Sequence, residues 1–494
     1  MSDIETLLEK VEATPRGRRT AAFFDFDGTL IDGYSAMAMM QHRARRREMS
    51  PVEVARLLMV GVEAGVGRAD FERFMRVGVR AFRGRQPDDL GEMGERLMRS
   101  VLGGCLYPEG WELVAAHKRR GHTVVVASSA LPFQVEPLAR ELGVDHILCT
   151  RLEQRDGVLT GEVDGPILWG PGKAAAVEAF AREHRIDLSR SFAYANGDED
   201  VDFLETVGRP RPVNPSKGLA RVAAERDWPV TRFRPRARPG LEAVARTAAA
   251  YGGLAAAFGA GLGIGVLNRS RKDAVNVTMS VGSDVALALA GIQLNVVGQE
   301  HLWSHRPAVF IFNHQSWLDG MVMMNLLRHD VTAVAKKEVS RQPVFGQFAW
   351  LMNMAFVDRG NTAQAKQAME PVVERINDGF SLAISPEGTR SATPRMARFK
   401  KGAFHMAMQA GVPIVPVVIR NAGLHLWRGS MFMRPGTIDV AVLPPVFVDD
   451  WRREELDRHV AGVQAMFQST LDDWPSGRTT APVVGLRPRA EAAT

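Results

Sequence analysis

Apolar strand-like runs alternate with helical stretches twice along this chain, over residues 19–215 and again over roughly 297–455. That alternation is the pattern of an α/β fold and predicts two separate sheets. The first block has Ala21–Phe26, Thr123–Ala127 and Ser191–Ala195; the second has Ala308–Phe312, Ser381–Ile384 and Ile414–Ile419. Several of these runs lead straight into carboxylates, hydroxyls or a histidine. Open α/β sheets place ligands at the carboxyl ends of their strands, so each block predicts its own site. The 494 residues suit two or three domains of about 100–200 residues each. A composition of 46% apolar and 24% charged residues excludes a mainly disordered, collagenous or polytopic membrane chain. Two cysteines, Cys105 and Cys149, build neither a disulfide framework nor a Cys-rich zinc site, which suits a reducing compartment. The polar opening MSDIETLLEK predicts no secretory signal.

The net charge of +6 is concentrated. Between Arg209 and Arg246, ten Lys/Arg face three Asp/Glu, so this Pro-rich stretch carries +7 and the remainder −1. Nucleic-acid binding calls for basic faces on folded domains, and none is expected. A basic connector before an apolar segment suits an anionic membrane surface; the plainer reading is a solvated linker. Thr247–Leu267 has no charge for 21 residues, enough to span a bilayer, but six are Gly and seven Ala. A second apolar stretch, Ala274–Val296, contains Asp284, which at a bilayer centre costs about 2.5–3.5 kcal/mol. The intervening NRSRKD is costly at the bottom of an inserted hairpin. Two helices lying in the membrane interface are therefore expected over 243–296. A single span and a buried soluble hairpin remain alternatives.

The run AAFFDFDGTL carries Asp25 and Asp27 at the end of an apolar strand, followed by Gly28. Carboxylates two apart on a strand share a face. One can attack phosphorus while its neighbour handles the leaving-group proton, with Mg²⁺ offsetting their repulsion. VVVASSA ends a strand in Ser128, Gly172-Lys173 supplies a cation, and SFAYANGDEDVDFL runs from a strand into a carboxylate-rich loop. In this order the pieces resemble the haloacid dehalogenase superfamily of phosphatases, particularly its phosphoserine-phosphatase-like branch, over residues 19–215. The resemblance implies a Rossmann-like core with Asp25 as nucleophile and Asp27 as acid/base. It implies Ser128 and Lys173 on the phosphoryl group, and a helical cap over about 33–99. The last motif departs from the family pattern of two Asp four residues apart. The spacing to Phe203, Leu204 and Gly208 aligns those positions with Asn196 and Asp200, giving Asp25, Asp27, Asn196 and Asp200 as metal ligands. The other register, Asp198 and Asp202, restores two Asp but misplaces the Phe-Leu pair. An uncharged Asn196 weakens a Mg²⁺ site, so an inactive domain kept for assembly or sensing stays open beside an active phosphatase.

AVFIFNHQSWLDG runs from a strand into His314, with Asp319 five residues on and Ser316 placed to cap the following helix. Asp319 can hold the imidazole in one tautomer while the other ring nitrogen takes a proton from an alcohol. A capping Asp and a surface His give the same pattern. AFVDRG adds Arg359; AISPEGTRS adds Glu387, Gly388 and Arg390; FKKGAF adds Lys400 and Lys401; VPIVPV adds Pro413 and Pro416 in an apolar strand. Cations converging near a histidine describe a phosphate-bearing alcohol as substrate. Together these motifs resemble the glycerolipid acyltransferases, specifically the 1-acylglycerol-3-phosphate acyltransferase (PlsC) family, over about 297–455. The resemblance implies metal-free acyl transfer from acyl-CoA or acyl carrier protein to the 2-hydroxyl of lysophosphatidic acid, giving phosphatidic acid. His314 would be the general base and Asp319 its orienter. Arg359, Glu387, Gly388 and Arg390 would bind the acceptor, with Lys400 or Lys401 as weaker candidates. Ser385 stands where the family commonly has Phe. Paired membrane-seated helices are common in the family just before this block.

The expected arrangement is a haloacid dehalogenase-like domain over 19–215, a basic linker over 216–242 and membrane-associating helices over 243–296. An acyltransferase domain follows over 297–474, then a flexible tail over 475–494. The expected location is the cytoplasmic face of the cell membrane, where acyl donors are found.

Overall fold

A computed structural model of the chain describes residues 3–46, 48–49, 68–234, 239–336, 345–352, 354–357, 370–391, 393–427 and 430–475. The chain divides into two compact units, Met1–Arg238 and Pro239–Thr494. Both are α/β.

The first unit contains β1 (Ala21–Phe24), β2 (Thr123–Ser128), β3 (His146–Cys149), β4 (Arg151–Arg155), β5 (Val158–Asp164), β6 (Phe192–Ala195) and β7 (Arg209–Pro212). Five of them form one sheet in the order β3-β2-β1-β6-β7, with every neighbouring pair parallel. β4 and β5 form a separate antiparallel hairpin. β1, β2 and β6 are buried along their whole length, which explains why they read as continuous apolar runs rather than alternating ones. Helices Ser35–Arg45, Arg68–Val79 and Pro87–Leu97 lie between β1 and β2 in sequence, where the cap is expected; residues 50–67 of that stretch lie outside the described residues.

The first unit extends past the expected boundary at 215. Helix Lys217–Glu225 buries Leu219 and Ala223, Trp228 packs on the sheet core, Thr231 bridges to Val213, and buried Phe233 meets Tyr107 edge-on at 5.5 Å. The stretch expected as a linker over 216–242 is thus largely folded onto this unit. Its charge disguised a short amphipathic helix whose apolar positions are few.

The second unit contains β8 (Ile292–Val297), β9 (Val309–Phe312), β10 (Val331–Lys336), β11 (Ala355–Val357), β12 (Ser381–Ile384), β13 (Ile414–Arg420) and β14 (Gly436–Val442). They form one sheet in the order β11-β10-β12-β9-β13-β14-β8, parallel except for the antiparallel β13–β14 pair. Alternation along β9 sends Phe310 and Phe312 into the core on one face and Val309 and Ile311 into the core on the other.

Two long helices precede this sheet, Leu241–Leu267 and Arg271–Ala290. The second is shorter than the apolar stretch to Val296: Gly291 at φ +72° ends it, and β8 follows. The first is long and apolar enough to cross a membrane by length and composition, with 22% of its most apolar stretch buried. The two pack closely, a methyl group at Gly282 meeting Leu254 at 3.0 Å and Ala257 at 3.4 Å. Asp284 does not face an apolar medium: both its oxygens pair with Arg328, and it accepts from Asn325 Nδ2 at 2.6 Å.

Candidate active sites

In the first unit, β1 ends at Phe24 and delivers Asp25 to the carboxyl edge of the sheet. Its register with β2 brings buried Ser128 to the same edge, where Ser128 Oγ accepts from Ala130 N at 3.1 Å. Lys173, in the first turn of helix Pro171–His184, places Nζ 2.8 Å from Asp25 Oδ1 and 2.6 Å from Asp200 Oδ1. All three side chains are almost wholly buried. Burial raises the Asp25 carboxyl to about 7 against the pull of Lys173, while the two carboxylates push Lys173 up against its own desolvation.

Asp27 turns elsewhere: its two oxygens accept from Ser35 N at 2.7 Å and Ser35 Oγ at 3.0 Å. Burial raises Asp27 to about 6 despite those bonds. Asn196 Oδ1 accepts from Thr29 Oγ1 at 3.1 Å. Gly28, at φ +73°, lies directly under the Asn196 amide, and a methyl group there would collide with it. Asp198 accepts from Leu219 N and the Ser216 hydroxyl, while Asp202 is exposed. Of the two registers weighed, it is Asn196 and Asp200 that approach the Asp25 edge.

Hard oxygen donors at this edge, the Asp25 and Asp200 carboxylates and the Asn196 amide, suit Mg²⁺. Among the described residues, no three His, Cys, Asp or Glu side chains gather closely enough to hold a metal by themselves. The set is therefore poorer in charge than a site with a third converging carboxylate.

In the second unit, β9 leads into His314 at the carboxyl edge. His314 Nδ1 lies 2.8 Å from Asp319 Oδ2, and the same oxygen accepts from Gln315 N at 2.7 Å and Ser316 N at 2.8 Å. Asp319 is fully buried in the first turn of helix Leu318–Leu327, and the His314 side chain is 24% exposed. Ser316 Oγ accepts from Leu318 N at 3.1 Å and donates to Leu426 O, pinning the start of that helix. The arrangement leaves Nε2 as the outward nitrogen of a ring fixed at Nδ1.

Glu387 is buried, and its oxygens accept from His314 N at 2.7 Å, Ser391 Oγ at 2.7 Å and Ala397 N at 2.7 Å. Burial raises its carboxyl in spite of these donors. Expected to contact the acceptor, Glu387 instead ties the turn after β12 to the histidine loop. The Arg390 guanidinium lies 4.7 Å from the centre of the Trp317 ring. Gly388 faces Lys400, whose Nζ would stand 3.1 Å from a β-carbon there. Lys401 turns away to Asp457 at 2.8 Å, so the structure separates the two lysines that the sequence leaves equivalent. Arg359 lies outside the described residues. Ser385 Oγ is buried without a hydrogen-bond partner among the described residues. Ser35, Thr29, Ser391 and Trp317 escape sequence reasoning because each acts through one neighbour's orientation; only Ser35 carries a local signal, a hydroxyl at a helix start.

Residues 22–205 match the family model of haloacid dehalogenase-like hydrolases, and residues 293–420 that of acyltransferases. A 1-acyl-sn-glycerol-3-phosphate acyltransferase of Limnanthes alba is 39% identical over 184 residues, 37% of this chain and 65% of the relative. An inhibition of morphological differentiation protein of Streptomyces azureus is 34% identical over 221 residues, 44% of this chain and 79% of the relative. A protein of Mycobacterium tuberculosis named a probable phosphatase is 31% identical over 242 residues, 47% of this chain and 83% of the relative. The chain spans 65% or less of the length of the first plant acyltransferases it matches. With both site constellations at the strand ends of their sheets, this chain belongs through its first unit to the haloacid dehalogenase-like hydrolases, and its second unit carries an acyltransferase domain over residues 293–420.

Proposed function

We propose that the second unit transfers an acyl group from acyl-CoA or acyl carrier protein to the 2-hydroxyl of 1-acylglycerol-3-phosphate, giving phosphatidic acid. The observation that carries this reading is the His314–Asp319 contact at 2.8 Å, with the carboxylate buried and the ring's other nitrogen outward. Nε2 takes the proton of the acceptor hydroxyl as its oxygen attacks the thioester carbonyl. The C–S bond then breaks, and the leaving thiolate takes the proton back from the imidazolium. Asp319 stabilises that imidazolium and fixes its tautomer. Arg390, held over Trp317, and Lys400, beside Gly388, are the cations for the acceptor phosphate, together with Arg359. No metal is called for, because a neutral imidazole and a thioester leaving group suffice. The test is acylation of a panel of lysophospholipids by purified protein with each donor. Transfer only to acceptors lacking a phosphate monoester would contradict the assignment.

In the first unit, Asp25 is the nucleophile of a phosphatase and Asp27, raised to about 6 and held by Ser35, the acid/base. Ser128 and Lys173 hold the phosphoryl group. Asp25, Asp200 and the Asn196 amide would hold Mg²⁺, which supplies charge to offset that of the phosphoryl oxygens. A second reading, an inactive assembly or sensing domain, is favoured by uncharged Asn196 and by Lys173 already bridging Asp25 and Asp200. Aryl-phosphate hydrolysis with and without Mg²⁺ separates the two. The chain works at the cytoplasmic face of the cell membrane, with helix Leu241–Leu267 and the basic stretch around 226–246 as its attachment. Support comes from Val266 and Leu267, both more than three-quarters exposed.

A further inference from the structure

All five strands of the first unit's main sheet are parallel, so every strand enters from one end and every site residue leaves at the other. The entering loops are residues 15–20, 119–122, 143–146, 184–191 and 207–211. Together they hold nine arginines, no lysine, and two acidic residues, Asp145 and Asp187. Backbone contacts knit them into one face. Gly17 N donates to Arg120 O at 3.1 Å, Asp187 N to Arg19 O at 2.7 Å and Arg209 N to Ser191 O at 3.1 Å; Thr123 Oγ1 donates to Arg18 O at 2.8 Å. Arg119 pairs with Glu12 and Arg190 with Asp187. Arg16, Arg18, Arg120, Arg185, Arg209 and Arg211 have no ion-pair partner among the described residues, and Arg19 has only the longer-range attraction of Asp187.

Arg209 and Arg211 stand over the same ring, their guanidinium carbons 5.0 and 5.9 Å from the centre of Phe192. Arg120 and Arg209 both act on His122; the Arg120 Nη2 donates to Thr14 O, and its Nε is buried without an acceptor among the described residues. Like charges held this close without a counter-charge are stabilised by an external anion. The opposite end of the sheet carries Asp25, Asp27, Asp198, Glu199, Asp200 and Asp202, so the unit is electrically polar from end to end.

We infer that the strand-entry face of the first unit is a docking surface for an anionic phospholipid bilayer, with the carboxylate end of the sheet turned toward the aqueous side. Lipid is favoured over nucleic acid on two grounds. The aromatic rings under this face, Phe192 and Tyr194, are wholly buried and offer no surface for base stacking. The same chain carries the exposed apolar helix Leu241–Leu267, and its second unit, on the reading proposed above, makes an anionic lipid. Arginine forks suit phosphate headgroups. The consequence for chemistry is that the first unit's substrate is a water-soluble phosphate monoester.

The test uses the full chain with vesicles of phosphatidylcholine alone and of phosphatidylcholine mixed with phosphatidylglycerol. Arg16→Glu/Arg18→Glu/Arg19→Glu changes only exposed loop residues outside both sites. Each cation near an anionic surface is worth about fivefold in affinity, so the triple reversal should weaken binding to anionic vesicles by on the order of a hundredfold or more. Binding to neutral vesicles, aryl-phosphate hydrolysis and acyl transfer should stay as in the wild type. In the wild type, anionic vesicles should protect amides of 15–20 and 207–211 from hydrogen exchange. Unchanged preference for anionic vesicles in the variant, or protection absent from both loops, overturns the inference. So does tighter binding to duplex DNA than to anionic vesicles at physiological salt. Loss of acyl transfer or hydrolysis in the wild type would instead strike the catalytic readings.

Discussion

Asp284 Oδ2 lies 2.7 Å from Arg328 Nη2, joining the second of the two long helices to the residue that ends the helix carrying Asp319. The pair is bidentate but half open to water, which limits its worth. Asp284→Ala should lower the stability of the second unit by about 1 kcal/mol. Asp284→Asn, which keeps an oxygen for Asn325, should lose less. Urea unfolding of the full chain reads both; no change in either variant would mean that the contact is incidental.

Lys173 holds two buried carboxylates together, and removing it leaves both without compensation. Lys173→Met should destabilise the first unit by about 3–5 kcal/mol. Mg²⁺ should recover part of that loss if Asp25 and Asp200 bind it. Thermal unfolding with and without Mg²⁺ measures both effects, and a variant as stable as the wild type would show that the carboxylates are not held as charges.

Much of this was legible in the sequence for a simple reason. Strands buried on both faces are continuous apolar runs, so Ala21–Phe24, Thr123–Ser128 and Ser381–Ile384 stand out, and the residues just past them are the candidates for chemistry. What was not legible is where a side chain turns after the backbone delivers it. Asp27 and Glu387 sit in their motifs, yet their oxygens are engaged by Ser35 and by the His314 loop. Charge also misled: the arginines around helix Lys217–Glu225 read as linker although Leu219 and Ala223 fix it to the sheet. The strand Ile292–Val297 was hidden because its apolar residues continue those of the preceding helix, and only Gly291 marks the break.

Asn196→Asp should raise Mg²⁺ affinity and, where a weak metal site limits turnover, phosphatase activity with it. The added carboxylate joins Asp25 and Asp200 as an anionic oxygen donor. Calorimetric titration with Mg²⁺ beside an aryl-phosphate assay is the check. If affinity is unchanged, Asn196 is not a ligand.

The buried pair His117 and His122 gives the first unit a pH signature. Their Nδ1 atoms are 2.9 Å apart, and His117 Nε2 lies 2.8 Å from the Tyr194 hydroxyl. Burial lowers both, His117 strongly. The unfolded chain takes up protons here as pH falls through about 6.5, while the folded chain resists. Stability contributed by the pair is thus fully present above that range and declines below it. Asp25 and Asp27, raised in the fold, act in the opposite sense, so the readout is a difference. The stability advantage of wild type over His122→Asn should shrink between about pH 7.5 and pH 5. An advantage that grows on acidification would contradict the neutral pair.

The central claim is that His314, held by Asp319, is the base for acyl transfer to a phosphate-bearing alcohol. Its most direct measurement is the rate of phosphatidic acid formation from 1-acylglycerol-3-phosphate and an acyl thioester by purified His314→Ala, beside wild type. Loss of a general base should slow transfer by about 10²–10⁴-fold, with the fold, membrane binding and any aryl-phosphate hydrolysis retained. Transfer near the wild-type rate in a folded His314→Ala protein would contradict the mechanism.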